Sequence, residues 1–183
     1  MRIIGGVAKG RQLLYPHRLR ARPTTDRIKE SLFNILGQLE NQTFLDIYAG
    51  AGNVGIEALS RGAAFAAFIE KDATLAQYTQ NNLLRCGFTG KYQILGTTMQ
   101  KAVSLLHNQG KLFNIIFADP PYEETLVCET LGKLVQFKLS APDGLVIFQH
   151  STREMEGLDG TKDFVLIDQR KYGDTLLSFL KPQ

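Results

Sequence analysis

Asp119-Pro120-Pro121-Tyr122 follows the apolar run Ile115-Ile116-Phe117-Ala118. Two consecutive prolines fix the backbone and remove two N–H donors, which leaves carbonyl oxygens exposed. An ionised Asp119 only accepts hydrogen bonds. The Asp119 carboxylate and the Pro120 carbonyl together can hold both hydrogens of an exocyclic NH2 and aim its lone pair at an electrophile. Tyr122 offers a flat face for stacking a base, which in a duplex must first be flipped out. Asp119, Pro120 and Tyr122 are the expected catalytic residues. The plain alternative is a rigid loop that closes a strand.

A second constellation lies upstream. Asp46-Ile47-Tyr48-Ala49-Gly50-Ala51-Gly52-Asn53-Val54-Gly55 contains G-x-G-x-x-G in Gly50, Gly52 and Gly55. Glycines let the backbone turn sharply and approach a ligand closely. A dinucleotide enzyme would place pyrophosphate on the following helix and ribose on an acid of the next strand, a part open to Glu70. The loop admits NAD and also S-adenosylmethionine. Asp46 favours the latter, because a strand-end carboxylate suits a methionine ammonium and does little for a pyrophosphate. With an activated methyl group the enzyme needs mainly in-line positioning of the amine, with no metal and no covalent nucleophile. The amine proton can then leave to Asp119 or to water. His17, His107 and His150 show no metal spacing. His17 lies in a basic segment where it can meet phosphate.

These groups need a scaffold. Residues 2–14 read as a short hairpin, and Pro16 and Pro23 bracket a basic loop. Thr24 or Thr25 can cap a helix with Asp26 in its first turn. Ile28, Leu32, Ile35 and Leu39 would form its apolar face. From Thr43 strands and helices alternate. Strands are expected at 44–48, 66–70, 92–95, 113–118 and 144–149, and helices at 54–61, 72–86, 100–107 and 124–137. A closing antiparallel hairpin is expected from 164–171 and 175–180. Such alternation specifies an α/β fold with a mostly parallel, doubly wound sheet and right-handed crossovers. Ligands bind beyond the carboxyl ends of its strands, where Asp46, Glu70 and Asp119 all fall.

The 183 residues suit one globular domain, 44% hydrophobic and 21% charged. A basic hairpin and arm over 1–24 would precede a catalytic domain over 25–183. Cys86 and Cys128 form no CxxC pair, and neither a signal peptide nor a membrane span is legible, so a cytoplasmic protein is expected. Net charge is only +3, yet residues 1–29 carry eight basic residues and one acid, against 13 and 17 in the remainder. That asymmetry suggests a polyanion at the N-terminal end, contacted by Arg2, Lys9, Arg11, Arg18, Arg20, Arg22 and Arg27. A solvated, loosely ordered arm is the alternative.

The chain resembles the bacterial 16S ribosomal RNA guanine-N2 methyltransferases that act on the guanine numbered 966. The likeness runs the length of the chain: Arg2 to Gly6, Arg22-Pro23-Thr24-Thr25-Asp26-Arg27-Ile28-Lys29-Glu30, Leu32 to Leu36, Asp46 to Gly55, Glu57 to Ala63, Asp119 to Tyr122, and Tyr172 to Thr175. The Arg22 to Arg27 segment is its most specific part. The resemblance implies a Rossmann-like, seven-stranded S-adenosylmethionine-dependent methyltransferase fold with a small N-terminal basic extension. It implies cofactor contacts from the Asp46–Gly52 loop, including Tyr48, Ala49, Gly50 and Gly52, and from Glu70 to the ribose. Lys71-Asp72 would line the adenine edge. Many proteins of this fold place Asp or Asn after the third strand to bind the adenine amine. Here Gly96-Thr97-Thr98 stands instead, with Thr98 as substitute. The implied partner is 16S RNA within a 30S subunit or assembly intermediate, bound by a monomer.

Three rivals share some of these features. An adenine-N6 methyltransferase acting on DNA or RNA, or a protein-glutamine methyltransferase, presents an NH2 to the same pocket. An NAD-dependent oxidoreductase fits the glycine loop but leaves Asp119-Pro120-Pro121-Tyr122 unexplained. A methyltransferase fold used only to bind RNA would keep the basic arm but need neither Asp119 nor Tyr122.

Overall fold

The computed structural model describes residues 1–16, 24–121, 126–153 and 162–183. Within them the expected alternation is present: α1 (Asp26–Leu36), β1 (Thr43–Ile47), α2 (Asn53–Ser60), β2 (Phe65–Ile69), α3 (Ala73–Arg85), β3 (Tyr92–Leu95), α4 (Met99–Asn108), β4 (Phe113–Ala118), α5 (Leu126–Phe137), β5 (Ser140–Ser151), β6 (Phe164–Tyr172) and β7 (Thr175–Pro182). All seven strands join one sheet in the order β3-β2-β1-β4-β5-β7-β6. The first five are mutually parallel, and β7 runs antiparallel to both β5 and β6. The chain starts at the middle of the sheet, winds out to β3, then returns to β4 on the other side of β1. Crossovers leaving β1 and β4 therefore diverge, and a crevice opens between their carboxyl ends.

Local chemistry sets the boundaries. Thr25 caps α1, its hydroxyl accepting from the Ile28 N–H, and Gly37 ends the helix at φ 70°. Ile28, Leu32 and Phe33 are its buried apolar residues, whereas Ile35 is exposed and Leu39 reaches the core from beyond the helix. The expected face is thus corrected by one position, because the helix meets the sheet on the Phe33 side. Asp72 caps α3 through the N–H groups of Thr74 and Leu75. β5 begins four residues earlier than expected. Its register with β4 slips between Phe113–Ser140 and Ile115–Leu145. The irregularity accommodates Pro142, which has no N–H to give to a ladder.

One side of the sheet buries against α1 and α2 in a cluster that includes Leu32, Phe33, Phe44, Val54 and Phe68. The other buries against α4 and α5 through Val103, Leu106, Leu131 and Leu134. The N-terminal segment joins the first cluster through Ile3, Ala8 and Leu13. Arg2 pairs antiparallel with Gln12, and the turn between them docks on α2. There Ser60 donates from its hydroxyl to the Gly5 carbonyl and accepts the Ala8 N–H, while its carbonyl takes the Val7 N–H. A Cβ on Gly6 would lie 1.7 Å from that carbonyl oxygen, so only glycine permits this docking.

Lys29 is fully buried. Its ammonium pairs with Glu57 at 3.3 Å and donates to the Arg2 carbonyl at 2.5 Å and to Asn53 Oδ1 at 2.9 Å. One of the eight N-terminal basic residues thus belongs to the core, where it ties α1, α2 and the hairpin together. Among the described residues no helix is long and apolar enough to cross a membrane.

Candidate active site

β1 ends in Asp46-Ile47, level with Phe68-Ile69 on β2 and Phe117-Ala118 on β4. This register puts Asp46, Glu70 and Asp119 on one rim. Asp46 is buried, and its Oδ2 accepts the Gly55 N–H at 2.7 Å. Gly55 must lack a side chain, since a Cβ there would lie 2.3 Å from the buried Phe68 ring and 3.0 Å from the Asp46 carboxylate. Beyond β1 the backbone turns left-handed at Tyr48, at φ 65°. That conformation costs a bulky residue about 1–3 kcal/mol. The side chain is held there by a 2.8 Å hydroxyl pair with Thr130 on α5.

Glu70 follows β2 and spends both oxygens on backbone amides. Oε2 accepts Gly50 N–H and Oε1 accepts Asp72 N–H, each at 2.8 Å. From α3, Thr79 donates to the Gly50 carbonyl and Asn82 to the Ala51 carbonyl, each at 2.9 Å. The loop is therefore rigid from both sides.

A cleft of about 940 Å³ opens above this loop. Asp46, Tyr48, Ala49, Gly50, Glu70, Lys71, Thr98, Asp119 and Pro120 all line it, as the sequence leads one to expect. Gly52 does not. It is the N-cap of α2 at φ 84°, its N–H bonded to the Ala49 carbonyl, and it shapes the turn. Thr98 is the N-cap of α4 but makes no side-chain capping bond, so its hydroxyl at the cleft is not committed to the helix. Tyr122, Arg18, Arg20 and Arg22 lie outside the described residues. Arg2, Lys9, Arg11 and Arg27 are exposed, and Arg2 pairs with Asp26 at 2.9 Å.

Thr24, in the Arg22–Arg27 segment that the resemblance implies at the pocket's border, lines the cleft, and further walls come from residues with no such signal. Met1 and Tyr15 bring the N-terminal segment to the cleft, with Thr24 and Asn53 beside them. Asn82 places Tyr15 by accepting the Leu14 N–H and donating to the Leu14 carbonyl, as a β partner would. Leu75, Met99 and Phe117 add apolar wall. Thr24 stands in the segment that carries the resemblance, so its neighbourhood was marked. Tyr15 had no sequence signal. Asp119 accepts from Gln149 on β5 at 2.9 Å and from the Thr24 hydroxyl at 3.4 Å, both on Oδ2. Gln149 is foreshadowed only as the first polar residue after the buried run Val146-Ile147-Phe148.

Burial pushes Asp46 from its ordinary 3.8 up to about 8, opposed by the Gly55 N–H and reinforced by Asp119 and Glu70. Three carboxylates around one cleft suit a cation. An arriving ammonium supplies the charge that lets Asp46 ionise, so binding of such a ligand tightens as pH rises toward 8. For folding the sign is opposite. Between about pH 4 and 8 the native state holds a proton that the unfolded chain has released, so ligand-free stability falls as pH rises. The slope reaches at most about 1.4 kcal/mol per pH unit. Asp46→Asn is expected to flatten that slope, which thermal melts between pH 5 and 8.5 measure. An equal slope in both proteins removes Asp46 as its source.

The residues that line the cleft fit S-adenosylmethionine on the chemistry of the donor set: a carboxylate at Asp46 suits an ammonium, one at Glu70 suits vicinal hydroxyls, and Leu75, Met99 and the Thr98 hydroxyl suit an adenine. Sheet order, glycine loop and donor set together define the class as the Rossmann-like S-adenosylmethionine-dependent methyltransferases. Within that class, the family model described as Conserved hypothetical protein 95 matches residues 1–181, and the chain belongs to that family. The chain is 34% identical over 182 residues to YlbH of Bacillus subtilis, covering 99% of this chain and 98% of that one. It is 39% identical over 147 residues to ribosomal RNA small subunit methyltransferase D of Escherichia coli K12, covering 80% and 72%. The solved structure of yhhF from Escherichia coli, named as a methyltransferase, superposes with a TM-score of 0.86 at 30% identity, covering 100% and 98%.

Proposed function

We propose that this protein transfers the methyl group of S-adenosylmethionine to the exocyclic N2 amine of one guanine, that numbered 966, in 16S ribosomal RNA. The observation that carries the reading is the convergence of Asp46, Glu70 and Asp119 on one cleft behind Asp119-Pro120-Pro121. Kinship with methyltransferase D of the small ribosomal subunit supports the RNA substrate.

S-adenosylmethionine supplies an electrophilic methyl group on a sulfonium. Asp46 would hold the methionine ammonium and Glu70 the ribose hydroxyls, with Thr98 and Lys71-Asp72 bordering the base. Asp119 and the Pro120 carbonyl accept the two amine hydrogens, so the lone pair of the amine nitrogen is left to face the methyl carbon. Tyr122 stacks the flipped guanine. A carboxylate at Asp119 can also take the proton that the amine sheds after transfer. Residues 1–24 form the RNA-facing hairpin and arm, with Arg2, Lys9, Arg11, Arg18, Arg20, Arg22 and Arg27 on phosphates, and residues 25–183 form the catalytic domain. The protein acts in the cytoplasm as a monomer on a 30S subunit or its assembly intermediate, where a preassembled RNA shape compensates for a small basic surface.

The test uses isotope-labelled S-adenosylmethionine with undermodified 30S subunits, naked 16S RNA and DNA in parallel, followed by digestion and mass spectrometry. N2-methylguanosine from ribosomal RNA is expected. N6-methyladenosine, or label in protein, would keep the fold and overturn the substrate. S-adenosylhomocysteine at a hundredfold its Kd is expected to raise the melting temperature by about 5–10 °C, and NAD to leave it unchanged.

A further inference from the structure

Gln149 is only 5% exposed. Its Nε2 donates to Asp119 Oδ2 at 2.9 Å, and among the described residues its Oε1 is buried with no hydrogen-bond partner. An orphaned buried acceptor lowers stability, and an apolar side chain of similar length would avoid it. The visible use of this amide is therefore Asp119. Gln149 lies at the carboxyl end of β5, where Phe148 pairs with Ala118, so it stands level with Asp119. It does not line the cleft itself.

We propose that Gln149 is a positioning residue that holds Asp119 ionised and fixes its rotamer for the incoming amine. This rests on the functional reading of Asp119 given above. An amide N–H bonded to a carboxylate favours the ionised form and opposes protonation. With Oδ2 held by Gln149 and Thr24, the carboxylate plane is set before substrate arrives, which is the preorganisation that amine alignment requires. Other titratable groups face this region. Asp46 on β1 interacts electrostatically with Asp119, and Glu70 beyond β2 with Asp46. Lys29 on α1 and Glu57 on α2 neutralise each other. On α5, Glu129 accepts from Gln100. His150, next along β5, is turned to Ser178 on β7. Gln149 and Thr24 both donate to the Asp119 carboxylate.

Gln149→Met and Gln149→Leu test this with three readouts. The melting temperature is expected to stay the same or rise, because an unsatisfied group is removed. The carboxyl carbon of Asp119, followed by carbon-13 NMR, is expected to titrate at higher pH than in wild type. At saturating substrates, kcat at neutral pH is expected to fall about tenfold, with KM for S-adenosylmethionine unchanged. An unchanged Asp119 titration overturns the proposal, as does a steep fall in melting temperature in both variants, which would make Gln149 structural. If the NMR shift is present but wild type methylates no ribosomal RNA, the substrate reading fails and the Gln149–Asp119 coupling stands.

Discussion

Asp119→Ala is expected to lower kcat for methyl transfer at least about a thousandfold, roughly 4 kcal/mol of transition-state stabilisation. On the proposed mechanism the variant loses the group that orients the amine. Cofactor binding is expected to survive, because the proposed ammonium and ribose partners, Asp46 on β1 and Glu70 just after β2, keep their own backbone bonds to Gly55 and Gly50. Losing the Asp119 charge also makes Asp46 easier to ionise, since Asp119 is one of the groups that push it up. Asp119→Asn separates charge from shape. Gln149 donates to Oδ2, so the amide oxygen of the variant will turn toward Gln149 and its NH2 toward the substrate amine. A substantial loss is therefore expected from Asn as well, though smaller than from Ala. Single-turnover transfer to ribosomal RNA, with calorimetric titration of S-adenosylhomocysteine, measures both quantities. Near-normal turnover in Asp119→Ala would sink the amine clamp.

The second large effect is on stability. Lys29→Met is expected to destabilise the protein by about 3–5 kcal/mol, lowering the melting temperature by about 10 °C or more. Burial draws the Lys29 ammonium below its usual range, and Glu57 pushes it back up. Glu57 also accepts Ile4 N–H and pairs with Arg61 at 2.8 Å. Removing the ammonium leaves the Arg2 carbonyl, Asn53 Oδ1 and part of a buried carboxylate unpaired, and each such group is costly. Because Asn53 also donates to the Thr24 carbonyl, and both line the cleft, the damage is expected to reach kcat. A double variant, Lys29→Met with Glu57→Leu, is expected to recover part of the loss, since the fully buried carboxylate leaves together with its ammonium, while Arg61, which is partly exposed, loses Glu57. Differential scanning calorimetry of the three proteins decides this. A Lys29→Met loss below about 1 kcal/mol would show that the network is solvated and dispensable.

The alternation of strands and helices is legible because the inner parallel strands β1, β2 and β4 are short, mostly apolar runs. Phe113 to Ala118 is legible to the residue, since a parallel strand buried on both faces must be mostly apolar. Boundaries drifted where an interaction across the fold decided them. Tyr48 reads as strand by its β-forming side chain, but its hydroxyl is tied to Thr130 and its backbone turns left-handed. Ile35 reads as core by helical spacing and lies exposed, because the direction from which α1 meets the sheet is not written within α1.

The same division runs through the site. Sequence by itself determined the reacting types. Carboxylates at the ends of three apolar strands, a glycine loop between the first strand and its helix, and two prolines after Asp119 are local patterns with local causes. Tertiary structure alone decided which of these meet and what holds them. The sheet order placed β4 beside β1, and so Asp119 beside Asp46. It also brought Gln149 and Thr24 to Asp119 across 30 and 95 residues of chain, carried Tyr15 over the cofactor loop, and turned Lys29 from an N-terminal charge into a core cation. Polar residues of that kind carry no periodicity. Burial selects them only through a partner, and the partner is fixed when the sheet closes.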